Sequence, residues 1–452
     1  MKSVFTKDYS GKKALETLKR SILVDGFHVV IDLKKSKGAH VYNELDKKMY
    51  LDFYSFFGSL PIGFNHPGLK NKSYQNALNE VSQIKVALSD VYSSHFARFV
   101  DVFNAIAIRK HFRYLFFVEG GALAVENALK VAFDWKTRLN VKRGLDIEAS
   151  QIIHFQQGFH GRTGYTICMT DSPDLRKTQY FPKFPWPRIL NPKINVYEEE
   201  LHPSTVEERE RKALQQIRAV LNQLGLQTAA IIIEPIQSEG GDNHFRPEFL
   251  KKLREIADQN DILLIFDEVQ TGLGLSGEWW CWENFGVKPD IMTFGKKVQV
   301  GGIAVTDRID KEGIDHCFKI SSRINSTFGG NLVDMVRATR YIEIIKEYGL
   351  LKNIRERGGQ FLKGFIQLSH TYPLTNIRGL GGILAFDVPS EEVRQKILRT
   401  AIERERLLIL PSGKRSVRFR PSLSITKAEV EEGLQRLEKT LKQVFLYSIS
   451  TF

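Results

Sequence analysis

ILLIFDEVQTGLGLSGEWWCWENFGVKPDIMTFGKKVQVGG, residues 262–302, opens on a short apolar run, Ile262 to Phe266, that ends in two adjacent carboxylates, Asp267 and Glu268. A run so short and so apolar reads as a strand buried on both faces, with Asp267 at its carboxyl end. In open α/β sheets that edge is where ligands sit. A carboxylate buried there stays ionised only with a cationic partner or several donors: a lysine, an arginine, a metal or a protonated cofactor nitrogen. A second apolar run, Asp290 to Phe294, precedes Lys296, Lys297 and then Gly301-Gly302, which holds one of the two lysines near the same edge. Desolvation lowers a lysine's pKa and makes it an amine nucleophile toward an aldehyde. Alone, Asp-Glu after a strand also fits a helix cap or a metal ligand, and Lys-Lys a solvated surface. Together at one sheet edge they match what pyridoxal phosphate needs, a carboxylate for its ring nitrogen and an amine for a Schiff base.

Working outward, FFVEGGALAVENALKVAFDWKTRL gives a strand at Phe116 to Val118, a tight turn at Gly120-Gly121 and a helix from Ala122, with Ala124, Ala128, Leu129 and Ala132 at helical spacing. Such a turn presents free N–H groups and the positive end of a helix dipole to an anion such as phosphate; glycines also serve such turns for geometry alone. QIIHFQQGFHGRTGYT (151–166) is another strand running into Gly158-Phe159-His160-Gly161-Arg162. Phe159 is suited to stack on a planar ring and Arg162 to fork onto a carboxylate. The plain alternative is a core Phe159, a surface Arg162 and an ordinary packed His160. The aromatic stretch LDFYSFFGSLPIGFNHPGL (51–69) reads equally as a buried loop or as the wall of a substrate channel, with short strands at Val29 to Ile31 and Met49 to Leu51 before it.

Residues 170–205 are proline-rich and read as loop. Thr205 and Glu208 form a capping box before the stripe Leu214, Ile217, Leu221 and Leu224. Then follow a strand at Ala229 to Ile233, Glu239-Gly240-Gly241, and a helix from Pro247 to about Asn260 that leads into the Asp267 strand. Repeated strand, loop and helix units predict an α/β fold with a mostly parallel central sheet wrapped by helices. Past Lys297, RINSTFGGNLVDMVR (323–337) is a polar loop leading into a helix; a long amphipathic helix begins near 335. RGLGGILAFDV, SVRFRPSLSI (416–425) and a capped helix from Thr426 close the chain. This predicts a large domain over 71–334 and a smaller α+β domain over 335–452, joined by an N-terminal segment over 1–70.

The 452 residues carry a net charge of +13, but no block of Lys/Arg interleaved with aromatics and no nucleic-acid module, so the charge points to solubility or anionic substrates. Cys168, Cys281 and Cys317 are too few and too widely spaced for a disulfide framework or a zinc site, and no metal is expected. The first twenty residues lack the apolar core of a secretion signal, and no run approaches a membrane span, so the expected location is the cytoplasm.

Set together, FVEGGALAVENALK, FHGRTGYT, PKFPWPRI, EPIQSEGGDNHFRPEF, GKKVQVGG and INSTFGGN resemble the class III aminotransferases among the fold-type I pyridoxal-phosphate enzymes, over nearly the whole chain. Gly120-Gly121-Ala122-Leu123, where the wider family has Ser-Gly-Ala/Ser-Glu, and Lys296, where it has a small residue, are similar to the branch acting on lysine. The resemblance implies a ping-pong transfer of the ε-amino group of L-lysine to 2-oxoglutarate. The products are glutamate and a semialdehyde that cyclises. Another ω-amine donor, another reaction on the same fold, and a non-catalytic basic binding protein are the alternatives. It implies that Lys297, with three residues between it and the double glycine, forms the Schiff base, and that Asp267 pairs with the ring nitrogen. Gly121 and Ala122 cradle the phosphate, Phe159 and Val269 flank the ring, Gln270 bonds its phenolic oxygen, and Thr327 reaches the phosphate of a partner subunit in a homodimer with shared sites. Arg162 serves the substrate's far carboxylate and Arg418 the carboxylate beside the reacting carbon, with Asn325 a further substrate-binding residue. When lysine is bound nothing negative faces Arg418, so Glu239 neutralises it and swings aside for the diacid.

Overall fold

The computed structural model describes residues 9–196 and 204–445. In chain order its strands are β1 (Ile31–Lys37), β2 (His40–Asn43), β3 (Lys48–Asp52), β4 (Tyr114–Val118), β5 (Gln151–Phe155), β6 (Arg188–Ile189), β7 (Thr228–Ile233), β8 (Leu263–Asp267), β9 (Ile291–Phe294), β10 (Gly301–Val305), β11 (Thr375–Leu380), β12 (Ile383–Asp387), β13 (Leu407–Leu408), β14 (Leu410–Ser412) and β15 (Ser416–Phe419). Seven of them form the central sheet in the order β4-β10-β9-β8-β7-β5-β6. Only β10 runs antiparallel to its neighbours, so the sheet is mostly parallel, as the alternating strand and helix pattern predicts.

The continuous apolar runs of β7 and β8 exist because both faces are covered. Ile231, Ile233, Leu264 and Phe266 join the core that holds Ile217 and Leu221 of helix Ser204–Leu224 and Leu250 and Leu253 of helix Pro247–Gln259. Ala230, Ile232, Leu263 and Ile265, alternating with them, face Val125, Ala128, Leu129 and Ala132 of helix Gly121–Lys142. A four-stranded antiparallel sheet, β11-β12-β15-β14, carries the C-terminal part. The N-terminal hairpins form a third sheet, β1-β2-β3-β13, in which Leu51 and Asp52 pair in parallel with Leu407 and Leu408.

Several local expectations change. The first strand starts at Ile31 instead of spanning Val29 to Ile31. Residues 170–205 are not all loop, since β6 pairs with β5 and a 3₁₀ turn spans Leu175–Lys177; residues 197–203 lie outside the described residues. Thr205 lies inside the first turn of a helix that begins at Ser204, and Glu208 pairs with Lys212. The long helix after 335 is two helices, Leu332–Glu347 and Leu350–Ser369, broken at Gly349 in the left-handed region (φ 61°). The capped helix from Thr426 is present: Thr426 N–H donates to Glu429 Oε2 at 2.7 Å and Glu429 N–H donates to Thr426 Oγ1 at 3.2 Å.

Because β4, β5, β7, β8 and β9 run the same way, their carboxyl ends deliver Gly120-Gly121, Phe159 to Arg162, Glu234 to Glu239, Asp267 and Lys296-Lys297 to one edge. The double glycine that closes the opening stretch follows from the reversed strand. A β-carbon on Gly301 would meet the Gly120 carbonyl oxygen at 2.5 Å, and one on Gly302 the Phe116 oxygen at 2.4 Å. β10 thus passes beneath the anion-facing turn with no room for a side chain.

Candidate active site

A cavity of about 1070 Å³ opens at this edge, lined among others by Gly121, Ala122, Phe159, Arg162, Asp267, Val269, Gln270, Lys296, Glu239 and Arg418. Phe56 and Phe57 form part of its wall while Phe53, Ile62 and Phe64 are core, so the aromatic stretch 51–69 is divided between core and cavity wall. Ser55, Phe56 and Phe57 all sit at positive φ (43°, 51° and 57°), a conformation these residue types rarely adopt and one associated with functional sites.

The two adjacent carboxylates part company. Glu268 turns into the fold, where its oxygens accept from Thr271 Oγ1 and from the N–H groups of Cys281 and Trp282, each at 2.8 Å. Asp267 faces the cavity. Its Oδ1 accepts from Thr293 Oγ1 at 3.0 Å and Val269 N–H at 3.1 Å, and its Oδ2 lies 2.8 Å from His160 Nδ1. Burial works against a charged imidazole, but the bond to Asp267 and its charge outweigh it and raise the pKa of His160. The partner of the buried carboxylate among the described side chains is therefore His160, whose raised pKa favours the charged form beside Asp267, so it is not an ordinary packed histidine. No property of the sequence string marks it except its place beside Phe159.

Glu234 stands beside this pair, accepting from Phe159 N–H at 2.9 Å and Ser238 N–H at 3.1 Å. Burial pushes its carboxyl up to about 7 despite the His160 charge. These bonds fix the loop that aims the Phe159 ring into the cavity.

Lys296 and Lys297 occupy a 3₁₀ turn flanked by unusual backbone, with Lys296 at φ 46° and Gln299 at φ 72°. Lys297 is buried, and its Nζ donates to Gln270 O at 2.6 Å and Gly58 O at 3.2 Å. Burial, then the Lys296 and Arg420 charges, hold its pKa well below the ordinary ammonium range. Lys296 reaches the cavity and donates to Gln270 Oε1; burial and the Arg418 and Arg420 charges bring it down to about 7.

The two arginines of RFRP divide as well. Arg420 pairs with Asp242 and donates to Phe419 O. Arg418 lines the cavity with no hydrogen bond or ion pair among the described residues; its Nε is buried without a partner. Burial, then the Arg420 charge, lowers its pKa to about 10. Glu239, expected opposite it, is turned instead to Lys177 Nζ at 2.5 Å and Ser172 Oγ at 2.8 Å, while its Oε2 is buried and unpartnered. Arg162 is exposed at the mouth and donates to Lys177 O at 3.3 Å.

The model of the family described as aminotransferase class-III matches residues 23–441. This chain belongs to the class III aminotransferases. The L-lysine-epsilon aminotransferase of Streptomyces clavuligerus is 41% identical over 435 residues, covering 95% of this chain and 94% of that protein. The enzyme of the same description from Mycobacterium tuberculosis is 42% identical over 434 residues, covering 95% of each chain. A solved structure of the M. tuberculosis lysine aminotransferase superposes with a TM-score of 0.93 at 40% identity, over 96% of this chain and all of the other.

In this aminotransferase the groups at the sheet edge suit pyridoxal 5'-phosphate. Helix Gly121–Lys142 opens with no side-chain cap and no acidic residue in its first turn, leaving its amides to an anion. A β-carbon on Gly121 would meet Val269 Cγ1 at 2.7 Å, so the cradle closes only around glycine. Asn325 and Thr327 do not line the cavity of their own chain. Both are exposed, and the Thr327 carbonyl accepts from Ser89 Oγ at 3.0 Å. Sequence reasoning missed Ser172 and Lys177, which lie in the proline-rich stretch where no periodicity or motif marks them.

Proposed function

We propose that this class III aminotransferase moves the ε-amino group of L-lysine to 2-oxoglutarate, giving L-glutamate and 2-aminoadipate 6-semialdehyde, which cyclises. The observation that carries the reading is a cavity holding one buried guanidinium, Arg418, unpartnered among the described residues, together with one half-satisfied carboxylate, Glu239. Such a pair serves a site that takes first an alkyl amine and then a diacid. A guanidinium left bare beside an alkyl chain is costly, so the carboxylate crosses to it for lysine and leaves it for 2-oxoglutarate.

Bound pyridoxal 5'-phosphate supplies an aldehyde carbon and an electron sink. The amides of Gly121 and Ala122 hold its phosphate, and Phe159 and Val269 hold its ring. Asp267 keeps the ring nitrogen protonated, with His160 fixing the Asp267 carboxylate behind it. Gln270, its Oε1 held by Lys296, would bond the phenolic oxygen. Lys297 is the amine. Burial lowers its pKa and so favours the neutral amine, the form that can attack and then accept the proton from the substrate carbon and return it. Arg162 orients the far carboxylate and Arg418 takes the near one, with Asn325 a further substrate contact.

The active form is a homodimer in the cytoplasm, Thr327 reaching the phosphate held by a partner subunit. The exposure of Thr327, whose carbonyl accepts from Ser89 Oγ, and of the apolar Ile84, Val91 and Tyr92 close to Ser89 in the chain supports the dimer. Among the described residues no helix is long and apolar enough to cross a membrane. The chain divides at 71–334 for the cofactor and 335–452 for the small domain, with 1–70 joining the latter through the β3–β13 pairing. The test is to mix the holoenzyme with lysine and 2-oxoglutarate and to measure glutamate and a cyclic imine. Turnover of ornithine, 4-aminobutyrate or a diamine with none of lysine would overturn the donor assignment and leave the chemistry standing.

A further inference from the structure

Resting on the donor and acceptor reading above, we propose that Lys177 is the second seat of the Glu239 switch: a positioning residue that holds the carboxylate off Arg418 and so keeps the site open to diacids. Glu239 has its backbone fixed, its carbonyl accepting from Gly413 N–H at 2.9 Å, so only its side chain is free to choose a partner. Two cations compete for it across one cavity. Lys177 has it in this structure, at 2.5 Å with Ser172 Oγ assisting at 2.8 Å, and Arg418 stands unpartnered among the described residues. The side chain of Lys177 is 34% exposed whereas Arg418 is buried, so the Lys177 pair is the more screened of the two and needs the serine to match the pull of the guanidinium.

A switch of this kind works only if its two positions are close in free energy, since a ligand moves an equilibrium by no more than its own preference. Without Lys177, Glu239 would settle on Arg418 in every state, and each incoming diacid would have to displace a buried carboxylate before binding. Lysine, which needs Glu239 on Arg418, would lose nothing. The same turn ties in the outer arginine, because the Lys177 carbonyl accepts from Arg162. One three-residue turn, Leu175–Lys177, N-capped by Asp174 accepting from Arg176 N–H at 3.2 Å, therefore contacts both groups that sort the substrates.

The experiment compares Lys177→Met, Lys177→Arg, Glu239→Ala and the double variant Lys177→Met/Glu239→Ala as holoenzymes. Each half-reaction is followed in single-turnover kinetics, and glutarate, a diacid that does not react, is titrated calorimetrically. Lys177→Met is expected to weaken glutarate binding and raise KM for 2-oxoglutarate about tenfold, leave KM for lysine within about twofold, and spare the rate constant of the lysine half-reaction. Lys177→Arg restores the diacid affinity. In the Glu239→Ala background, Lys177→Met has no further effect on glutarate. Equal losses for lysine and diacid, or a glutarate defect that persists without Glu239, would overturn the proposal. A wild-type enzyme that ignores lysine but accepts another ω-amine would overturn the donor reading instead, and the glutarate titrations would still decide the role of Lys177.

Discussion

Lys296 and Lys297 are adjacent in the chain, the first half-buried, the second buried and both depressed in pKa, yet they differ in what they touch. Lys296 grips the Gln270 side chain and Lys297 the Gln270 backbone oxygen. If Lys297 is the amine that reacts, Lys297→Ala removes about 10³-fold or more of turnover. Its circular dichroism spectrum stays as in wild type and its yellow cofactor band is lost. Lys296→Ala keeps the band. Retained turnover in Lys297→Ala, with loss in Lys296→Ala, reverses the assignment. The same scale holds the test of Glu239. Glu239→Ala slows the lysine half-reaction about tenfold more than the glutamate half-reaction, because only lysine leaves Arg418 facing an alkyl chain. Single-turnover rates that fall equally would remove the switch from the mechanism.

Between neighbouring elements, packing reverses what propensity alone dictates. Gly358 and Gly359 are consecutive in helix Leu350–Ser369, where alanine is ordinarily favoured by about 1 kcal/mol. A β-carbon at Gly359 meets nothing within 4 Å, whereas one at Gly358 would lie 2.0 Å from the Gly381 carbonyl oxygen. Gly359→Ala is therefore expected to stabilise by about 0.5–1 kcal/mol and Gly358→Ala to destabilise by about 1–3 kcal/mol in denaturant unfolding. Two shifts of the same sign would show that the helix sits differently on the C-terminal sheet.

The helix Lys427–Phe445 is tied to the N-terminal hairpin through Glu429, which accepts from Ala39 N–H and Thr426 N–H and lies 3.6 Å from His40 Nδ1. Burial opposes the charged carboxylate, but these donors bring its pKa down to about 2 from 4.5. A lowered folded-state value means that the stabilisation is fully present above about pH 4.5 and drains away as pH falls toward 2. His40 has the opposite sign. Its pKa is raised, first by the bond to Glu429, so its share is present at low pH and is lost as pH rises through the folded value. Glu429→Gln should cost about 1–2 kcal/mol at pH 7 and flatten the loss of stability between pH 5 and 3, read in urea midpoints. An unchanged acid limb would place the acid sensitivity elsewhere.

For the whole molecule, the decisive question is whether a site is finished by a second copy. Asn325 and Thr327 are exposed and absent from the cavity of their own chain. If Thr327 serves a neighbour, then Lys297→Ala and Thr327→Ala, each poorly active alone, will complement when refolded together. A mixed dimer has one intact site, and random pairing restores about a quarter of wild-type activity. No gain over the two separate variants would mean that each chain builds its site alone.

The sequence by itself determined the sheet and its edge. Continuous apolar runs at Thr228–Ile233 and Leu263–Asp267 can satisfy both faces only inside a covered parallel sheet, and period and glycine placement put Gly121, Phe159, Asp267 and the lysine pair at strand ends. Local chemistry also gave the Thr426–Glu429 cap, since a capping box needs only four consecutive residues. What only the tertiary structure decided is which side chains meet across more than a hundred residues or out of a loop without periodicity. His160 on Asp267, Lys177 on Glu239, Arg420 rather than Arg418 on Asp242, and Glu268 turned inward are all of this kind. Pair choice among buried charges depends on distance and desolvation, and neither quantity is written in the order of residues along the chain.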